Sequence, residues 1–352
     1  MSILFVTPKI AANIGGGVFT ASIDNTLCKF ADSYFKFSIP PYRSAVQKIK
    51  YQPFGYTLGM TPKVEAQIIE YIEHNQPDVI VFNTSYYGKI IKTIKKKYPK
   101  IKVLCFFHNI ECVYVKAAFK RKKNIGQLLT IYATWRNELS AVRYSDKVIC
   151  LNKRDANDLM KIYGRTADAL CPICLPDAFD ESKLHKRNGV VGAFVGSNFF
   201  ANYYGLCWFV KNVAPNINTS ILIIGRGFEQ YRKEFEQYPN IKVIGTVDNL
   251  SDHYYDIDFI IVPIFDGSGM KTKTAEALMF GKTIFGTDEA FCGYDVDLSR
   301  VGALCNTAEE FIDAINNFQK SDMQFNQYCR SAYMNNYSED RISEIMKTLI
   351  KL

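Results

Sequence analysis

Short apolar runs and amphipathic stretches alternate along almost the whole chain. Ile3–Val6, Val79–Phe82 and Ile101–Phe107 have the composition of buried strands, and stretches with helical spacing separate them. A second alternation of the same kind begins at Val190. Strands that alternate with helices are typical of parallel sheets with crossover helices. We therefore expect an α/β fold with two doubly wound, Rossmann-like domains that face a central cleft.

A break in this alternation indicates where the first domain ends. Around Cys171–Val190 the pattern gives way to prolines, charged residues and a glycine, which are typical of a linker. We expect an N-terminal domain over residues 1–178, a second domain over residues 179–335 and a last helical segment over residues 336–352.

Residues 265–287 predict an anion-binding site. Ile257–Pro263 is expected to form a strand, Gly267 and Gly269 a tight loop after it, and Met270–Phe280 a helix. Unpaired backbone N–H groups point outward at a helix N-terminus, where the helix dipole also favours negative charge. A strand, a glycine loop and a helix in this order can therefore bind a phosphate or a diphosphate.

Two lysines in the same segment support this interpretation. Lys271 and Lys273 fall in the expected first helical turn, where a cation opposes the helix dipole at a cost of ~0.3–1 kcal/mol. A bound diphosphate would make the net electrostatic energy of the two lysines favourable. Glu276 is placed to accept hydrogen bonds from the hydroxyls of a ribose. The alternative is a solvated loop with two surface lysines.

The run GSGMKTKTAEALMFGK and three glycine motifs before it resemble one enzyme family. The motifs are Val195-Gly-Ser, Ile224-Gly-Arg-Gly and Gly245-Thr-Val-Asp, in this order within residues 190–300. Together they are similar to the donor-binding domain of the retaining "group 1" glycosyltransferases, which have the GT-B fold. The resemblance implies a nucleotide-sugar-dependent glycosyltransferase whose C-terminal helix crosses back to the N-terminal domain.

The resemblance also implies a set of donor contacts. In that family two glutamates eight positions apart contact the donor sugar and the ribose; the second is Glu276 here, whereas Ser268 stands at the first. Ser197 and Asn202 occupy the positions of an Arg and a Lys that often hold the diphosphate, so we expect Arg226 and the two helix lysines to supply positive charge. The expected donor-binding residues are Gly196, Asn202, Arg226, Val247, Gly267, Ser268, Gly269, Met270, Lys271, Lys273 and Glu276.

The N-terminal domain is expected to hold the acceptor. His108 ends a buried strand, and the resembled enzymes often have a histidine in this region that lines the sugar pocket; the alternative is a histidine with a purely local partner. A glycine loop after the first strand is expected to shape the same side. The expected catalytic residues are His108, Lys271 and Glu276, and the expected acceptor-side residues are Gly15, Gly16, Gly17, Asn83 and Asn109.

No metal and no resident cofactor are expected. Asp256 and Asp258 have the spacing of a metal-binding pair but come before a strand rather than after it. Cys171 and Cys174 form one Cys-x-x-Cys without a second pair, which does not indicate zinc. The co-substrate that the resemblance implies is a nucleotide-diphosphate sugar of the UDP or GDP type, whose departing phosphate deprotonates the acceptor.

Charge and hydropathy indicate where the chain acts. The net charge of +8 is concentrated in the first half, in a lysine-rich helix near residues 86–98 and in residues 116–123. No basic leader with a long apolar region is evident, and no apolar run approaches the ~18 residues that span a bilayer. Together with the family resemblance, this implies a cytoplasmic protein that contacts the anionic inner face of the membrane and glycosylates a glycan or lipid-linked acceptor in polysaccharide biosynthesis, without binding nucleic acid. The alternative is a solvated basic helix face.

Two other functions stay open at this point. A GT-B sugar-nucleotide epimerase would need further carboxylates in the cleft, and the sequence does not present a convincing set. A catalytically silent partner protein would be consistent with Ser268 in place of the first glutamate.

Overall fold

The computed structural model describes residues 1–10, 15–121, 126–319 and 325–351, and the chain divides into two compact units. Unit 1 comprises Met1–Pro172 and Asp340–Leu352, and unit 2 comprises Ile173–Glu339. Each unit contains a six-stranded, fully parallel sheet, as the alternation of strands and helices predicts. None of the described helices is long and apolar enough to cross a membrane.

The sheet of unit 1 is built from strands that alternate with helices. Its strands are β1 (Ser2–Pro8), β2 (Ser33–Ile39), β3 (Val79–Phe82), β4 (Lys102–Phe107), β5 (Lys147–Cys150) and β6 (Ala169–Leu170). The helices are α1 (Gly15–Phe30), α2 (Ala45–Tyr51), α3 (Pro62–Asn75), α4 (Gly88–Lys97), α5 (Glu111–Arg121), α6 (Gly126–Tyr144) and α7 (Lys153–Tyr163). The strand order is β2-β1-β3-β4-β5-β6, so the direction of winding reverses between β1 and β3.

Unit 2 repeats this plan. Its strands are β7 (Val191–Val195), β8 (Ser220–Ile224), β9 (Ile241–Gly245), β10 (Phe259–Val262), β11 (Thr283–Gly286) and β12 (Gly302–Leu304). The helices that follow α7 are α8 (Phe200–Asn212), α9 (Arg232–Phe235), α10 (Leu250–Tyr255), α11 (Thr272–Met279), α12 (Leu298–Val301), α13 (Ala308–Asn316), α14 (Gln327–Asn336) and α15 (Glu339–Lys351). The strand order is β12-β11-β10-β7-β8-β9, which reverses between β10 and β7.

The last helix, α15, belongs to unit 1 rather than to unit 2. Residues 340–352 cluster with the first sheet, and the Lys102 ammonium at the start of β4 lies 3.3 Å from the carbonyl oxygen of Ile350, to which it donates a hydrogen bond. The expected return of the C-terminal helix to the N-terminal domain is therefore confirmed.

The expectation of a glycine loop at Gly15–Gly17 is wrong. These glycines begin α1, and residues 11–14 lie outside the described residues. The helix forms despite the low helix propensity of glycine because Phe19, Ile23 and Leu27, spaced one turn apart, are almost completely buried. Burial of one helix face outweighs local propensity.

A close helix contact in unit 1 depends on Gly88, the first residue of α4. A Cβ atom at this position would lie 1.8 Å from the carbonyl oxygen of Asn137 in α6. We expect Gly88→Ala to lower the free energy of unfolding by about 1–3 kcal/mol, because the two helices must move apart. Denaturant unfolding of the purified protein measures this difference.

Gly16→Ala is the matched control for this prediction. Gly16 is also helical, but a Cβ atom there would meet no atom within 4 Å. We expect it to leave stability unchanged or to raise it by about 0.5–1 kcal/mol, because alanine favours helix over glycine. A Gly88→Ala protein as stable as wild type would contradict the assigned contact.

Candidate active site

The reversal of strand order in unit 2 lies between β7 and β10. In open parallel sheets, ligands bind beyond the carboxyl ends of the strands at such a reversal. Gly196 directly follows β7, and the loop of residues 263–271 follows β10. The sheet order therefore brings the first and the last of the sequence motifs to the same edge.

Backbone contacts between glycines shape this edge. Gly196 and Gly225 have φ values of +151° and +146°, which side chains rarely allow. A Cβ atom on Gly225 would lie 2.0 Å from the carbonyl oxygen of Gly196, and the Gly225 N–H donates to the Gly245 carbonyl at 2.7 Å. The ends of β7, β8 and β9 are thus joined backbone to backbone, and a ligand can approach them closely.

Lys273 occupies the first turn of α11 and is only 9% exposed. Its Nζ donates a 2.6 Å hydrogen bond to Oδ1 of Asn202 and lies 4.1 Å from the centroid of the Phe194 ring. A Cβ atom on Gly196 would lie 3.1 Å from the same Nζ. Burial lowers the pKa of Lys273 to about 7. Lys273, Asn202 and Gly196 therefore form one cluster at the end of β7.

Lys271 lies one residue before α11, as its N-cap, and not in the first helical turn as expected. Its Nζ donates to Oε1 of Glu289 at 2.6 Å and to the carbonyl oxygens of Gly269 at 2.9 Å and Ser268 at 3.3 Å. A Cβ atom on Gly267 would lie 3.1 Å from the same Nζ. The loop therefore wraps around the lysine, whose charge is balanced by Glu289.

Glu289 was not identified from the sequence. It follows β11, the neighbour of β10 in the sheet, and so reaches the same edge from a segment beyond the recognisable motif. Its position after an apolar strand was the available signal, but the partner lysine becomes evident only from the pairing of β10 with β11.

Glu276 lies three residues after Lys273 on α11. Its Oε2 accepts a 3.3 Å hydrogen bond from the hydroxyl of Tyr254, whose ring stacks on Phe280 with centroids 4.4 Å apart. Burial raises the pKa of Glu276 to about 7, and the nearby Lys273 ammonium opposes that rise. Helix position and the stacked tyrosine together fix this carboxyl group.

The other predicted donor residues are spread along the same edge. Arg226 follows β8 and is exposed, whereas Val247 follows β9 and is half-buried. They lie one and two strands away from β7, on the side opposite β10. Met270 is buried, and its Sδ accepts a hydrogen bond from the backbone N–H of Ile173 at 3.4 Å. Met270 thus anchors the loop to its own unit.

In unit 1, Asn83 and His108 come together at the corresponding strand ends. The Asn83 amide nitrogen donates to the hydroxyls of Thr7 at 3.1 Å and Thr20 at 2.9 Å, so its oxygen accepts a hydrogen bond from Nε2 of His108 at 3.1 Å. Burial lowers the pKa of His108 to about 4, which keeps the ring neutral. The Thr20 hydroxyl also donates to the carbonyl of Gly16 at 2.8 Å, which links the start of α1 to this group.

Asn109 belongs to a neighbouring network. Its amide donates to Oε1 of Glu111 at 3.2 Å, and the hydroxyl of Tyr86 donates to Oε2 at 3.0 Å. Burial and the negative charge of Glu138 raise the pKa of Glu111 to about 7. The Glu138 carboxylate in turn accepts hydrogen bonds from the backbone N–H groups of Glu111 at 2.8 Å and Cys112 at 2.9 Å. It therefore stabilises the start of α5.

A cavity of about 390 Å³ lies in unit 1 beyond the carboxyl ends of β1 and β2. Pro8 and Ile39 line it from the two strands, and Tyr42 and Thr134 line it from other segments. The hydroxyls of Tyr42 and Thr134 are buried and have no hydrogen-bond partner among the described residues. Sequence reasoning missed this cavity because its walls come from distant parts of the chain.

Asp258, one of the two aspartates considered for metal binding, has a structural role. Oδ2 of Asp258 accepts hydrogen bonds from the Arg187 guanidinium and from the backbone N–H of Val191, both at 2.7 Å. Within the described ranges, no group of three or more His, Cys, Asp and Glu residues could hold a metal ion.

Comparison with known proteins identifies the family. Residues 189–321 match the family model described as glycosyl transferases group 1, and every predicted donor residue lies inside this range. The second domain of this chain therefore matches the group 1 glycosyltransferases. Enzymes of this class take their sugar from a nucleotide-sugar donor. No curated protein matches the sequence significantly.

Solved structures show the same fold over the whole chain. A sucrose-phosphate synthase from Thermosynechococcus elongatus is 12% identical with a TM-score of 0.76, covering 99% of this chain and 98% of its own. HepE from Anabaena in complex with UDP is 15% identical to this chain, with a TM-score of 0.72. The lipopolysaccharide outer core galactosyltransferase WaaB is 12% identical, with a TM-score of 0.66. Both matches cover 100% of this chain and 100% of the other chain. The expected GT-B fold is confirmed.

The lowered pKa of Lys273 predicts a pH dependence of stability. The ordinary pKa of 10.5 falls to about 7 in the folded protein, so above pH 7 the unfolded chain binds this proton more tightly than the folded protein does. Stability therefore rises with pH from about 7 towards 10.5. We expect the unfolding free energy of the wild type, relative to Lys273→Met, to increase by more than about 1 kcal/mol between pH 7 and 9.

Denaturant unfolding of both proteins at each pH measures this difference. Lys242→Met, which removes an exposed lysine of the same unit, is the control and should show no such pH dependence. A difference between wild type and Lys273→Met that is constant with pH would show that Lys273 keeps its ordinary pKa.

Proposed function

We propose that this glycosyltransferase transfers a sugar from a nucleotide-diphosphate sugar to a glycan or lipid-linked acceptor, with retention and without a metal, in cell-surface polysaccharide assembly. The observation that carries the proposal is Lys273, a buried ammonium whose hydrogen-bond acceptor is the neutral amide of Asn202. A buried cation is costly without an opposite charge. A diphosphate at the end of β7 would supply that charge.

The proposed mechanism uses charges that the site already holds. Lys271, Lys273 and the N-terminus of α11 stabilise the negative charge that grows on the leaving diphosphate as the glycosidic bond breaks. Glu276 binds the ribose hydroxyls and so orients the donor. The departing phosphate takes the proton of the acceptor hydroxyl, so the reaction needs neither a metal nor a separate protein base.

The donor is proposed to be a UDP-sugar, with a GDP-sugar as the alternative. Structures of Anabaena HepE that share this fold are described as complexes with UDP and with UDP-glucose. At 14–15% identity these complexes support a nucleotide class and not a particular sugar. Ser268 in place of the first family glutamate is consistent with a difference at the sugar itself.

The acceptor is proposed to bind in unit 1. Neutral His108 and Asn83 supply hydrogen-bonding groups at the strand ends, and the cavity with Tyr42 and Thr134 offers an apolar wall with two buried hydroxyls that lack partners. WaaB and WaaG, which share the fold, are described as lipopolysaccharide glycosyltransferases, and this supports a surface glycan as product. Such an acceptor implies peripheral contact with an anionic membrane.

A thermal-shift panel of UDP, GDP, ADP, CMP and dTDP with their sugar conjugates tests the donor. A ligand at a hundredfold excess over its Kd stabilises the fold by about 2.7 kcal/mol. We expect UDP or a UDP-sugar to raise the Tm most, and Lys271→Ala to lower glycosyl transfer at least tenfold with the fold intact.

Lys242→Ala is the control, because Lys242 is exposed and lies outside the site. Full activity of Lys271→Ala would remove the proposed role of that lysine. No stabilisation by any nucleotide would favour a catalytically silent partner protein, and conversion of the donor into an isomer without transfer would favour an epimerase.

Thr134→Val tests the proposed acceptor cavity. The change removes a buried hydroxyl without a partner, so we expect the stability of the free protein to stay equal or to rise by up to about 1–3 kcal/mol. The KM for the acceptor should rise several-fold, with the KM for the donor unchanged. Steady-state kinetics with each substrate varied separately measures both.

Thr130→Val is the contrasting variant. Thr130 lines the same cavity, but its hydroxyl exchanges hydrogen bonds with Gln52, so its loss should lower stability. An unchanged acceptor KM in Thr134→Val would place the acceptor elsewhere.

A further inference from the structure

Helix α4 carries two sets of lysines with different surroundings. Lys95 forms an ion pair with Asp146 at 2.9 Å, and Lys97 forms one with Glu73 at 2.6 Å. The remaining lysines of the helix lie at positions three and four residues apart, which places them on one face. They are Lys89, Lys92 and Lys96, and they form no ion pair with any carboxylate in the described part of the chain.

These three lysines line a cavity of about 550 Å³. Arg136 from α6 adds a fourth cation, and the neighbouring Thr93, Asn137 and Ser140 are neutral hydrogen-bonding residues. The remaining wall is the turn of residues 53–55. Four cations around one cavity repel each other unless an anion enters it.

The cavity wall is held in place by Lys89. Its Nζ donates to the carbonyl oxygen of Phe54 at 2.8 Å and lies 3.7 Å from the centroid of the Tyr56 ring. Burial and the positive charge of Arg136 lower the pKa of Lys89, whereas Glu65 opposes this. The Glu65 carboxylate already has two hydrogen-bond donors, because it accepts hydrogen bonds from the hydroxyls of Tyr56 at 2.6 Å and Thr93 at 3.0 Å.

Large apolar side chains stand exposed on α2 and on the turn that follows it. None of the residues of α2 is buried, and Val46 and Ile49, three residues apart on that helix, are 74% and 65% exposed. Phe54, which also lines the cavity, is 68% exposed. Exposed apolar groups bordered by basic groups are typical of surfaces that lie in a membrane interface.

We propose that Val46, Ile49 and Phe54, together with the basic cavity of Lys89, Lys92, Lys96 and Arg136, bind the surface of an anionic membrane. The three apolar side chains enter the headgroup region, and the cations bind lipid phosphates inside the cavity. A soluble polyanion would satisfy the cations but would leave the apolar side chains in water, so the combination favours a lipid surface. This inference deepens the membrane contact of the proposed function and rests on it.

Flotation of the full chain with vesicles of phosphatidylcholine, with and without phosphatidylglycerol, tests the proposal. Near an anionic membrane each basic side chain contributes roughly a fivefold factor in affinity. We expect Lys92→Gln/Lys96→Gln to reduce binding to the anionic vesicles at least tenfold. Ile49→Ser/Phe54→Ser should also reduce it at least tenfold, and this loss should persist at high salt because it is not electrostatic.

Matched controls remove the same groups from other exposed positions of unit 1. Lys63→Gln/Lys161→Gln removes two lysines, and Val113→Ser/Met160→Ser removes two apolar side chains that are 40% and 50% exposed. Both controls should bind the vesicles as wild type does. Equal losses in controls and test variants would overturn the proposal, and so would a loss in the lysine variant alone, which would indicate a site for a soluble polyanion.

Nucleotide binding separates this inference from the proposed function. Each variant is also assayed for the rise in Tm with UDP, which reports on unit 2 and on folding. Variants that keep the UDP response and still bind vesicles as wild type does would overturn the membrane surface only. A wild-type chain without any nucleotide response would overturn the donor proposal, whatever the vesicles show.

Discussion

The donor side of this enzyme depends on one buried cation. Lys273 is placed at the reversal of strand order, between a helix N-terminus that repels it and a sheet edge formed by glycine backbone. Its closest contacts are the amide oxygen of Asn202 and the ring face of Phe194, a dipole and a quadrupole, and the nearby Glu276 carboxylate adds a smaller favourable interaction. Burial of this charge lowers the stability of the free protein, and the proposed diphosphate would offset that cost. Such sites are organised before the ligand arrives, which is what electrostatic catalysis requires.

Lys271 shows the opposite arrangement two residues away. Its ammonium has a full carboxylate partner in Glu289 and two carbonyl oxygens of its own loop. A diphosphate that reaches Lys271 must therefore compete with the directly bound Glu289, whereas the Glu276 carboxylate near Lys273 forms no direct ion pair with it among the described contacts. The two lysines of one motif thus have different surroundings in the free protein: Lys271 holds the glycine loop closed on itself, and Lys273 has no directly bound carboxylate among the described residues.

Local sequence predicts the parts of this site that lie in one continuous segment. The strand, the glycine loop and the helix within residues 257–280 follow from their own composition, because each element is encoded within a few residues. Glu289 and Tyr254 could not be found in this way, since their contacts with Lys271 and Glu276 depend on how neighbouring strands and helices pair. At the triple glycine, by contrast, local sequence gives a wrong prediction. Glycine favours a loop locally, but burial of one face of α1 outweighs that preference and the segment is helical. The alternation of strands and helices predicts the fold well because it is repeated in every element of both sheets.

The positive charge of unit 1 lies apart from the groups at its strand ends. The groups at its strand ends are neutral: His108 with a proton on Nε2, the amide of Asn83 and the hydroxyls of two threonines. Neutral donors and acceptors suit the hydroxyls of a sugar, which gain little from a formal charge. The lysines of α4 take no part in this network and are arranged on an outer helix face. An excess of positive charge on such a face attracts an extended anionic surface over several ångströms, which a compact catalytic site cannot do. The proposed membrane surface would account for the basic character of the first half, whereas the proposed reaction depends on two lysines in the other half.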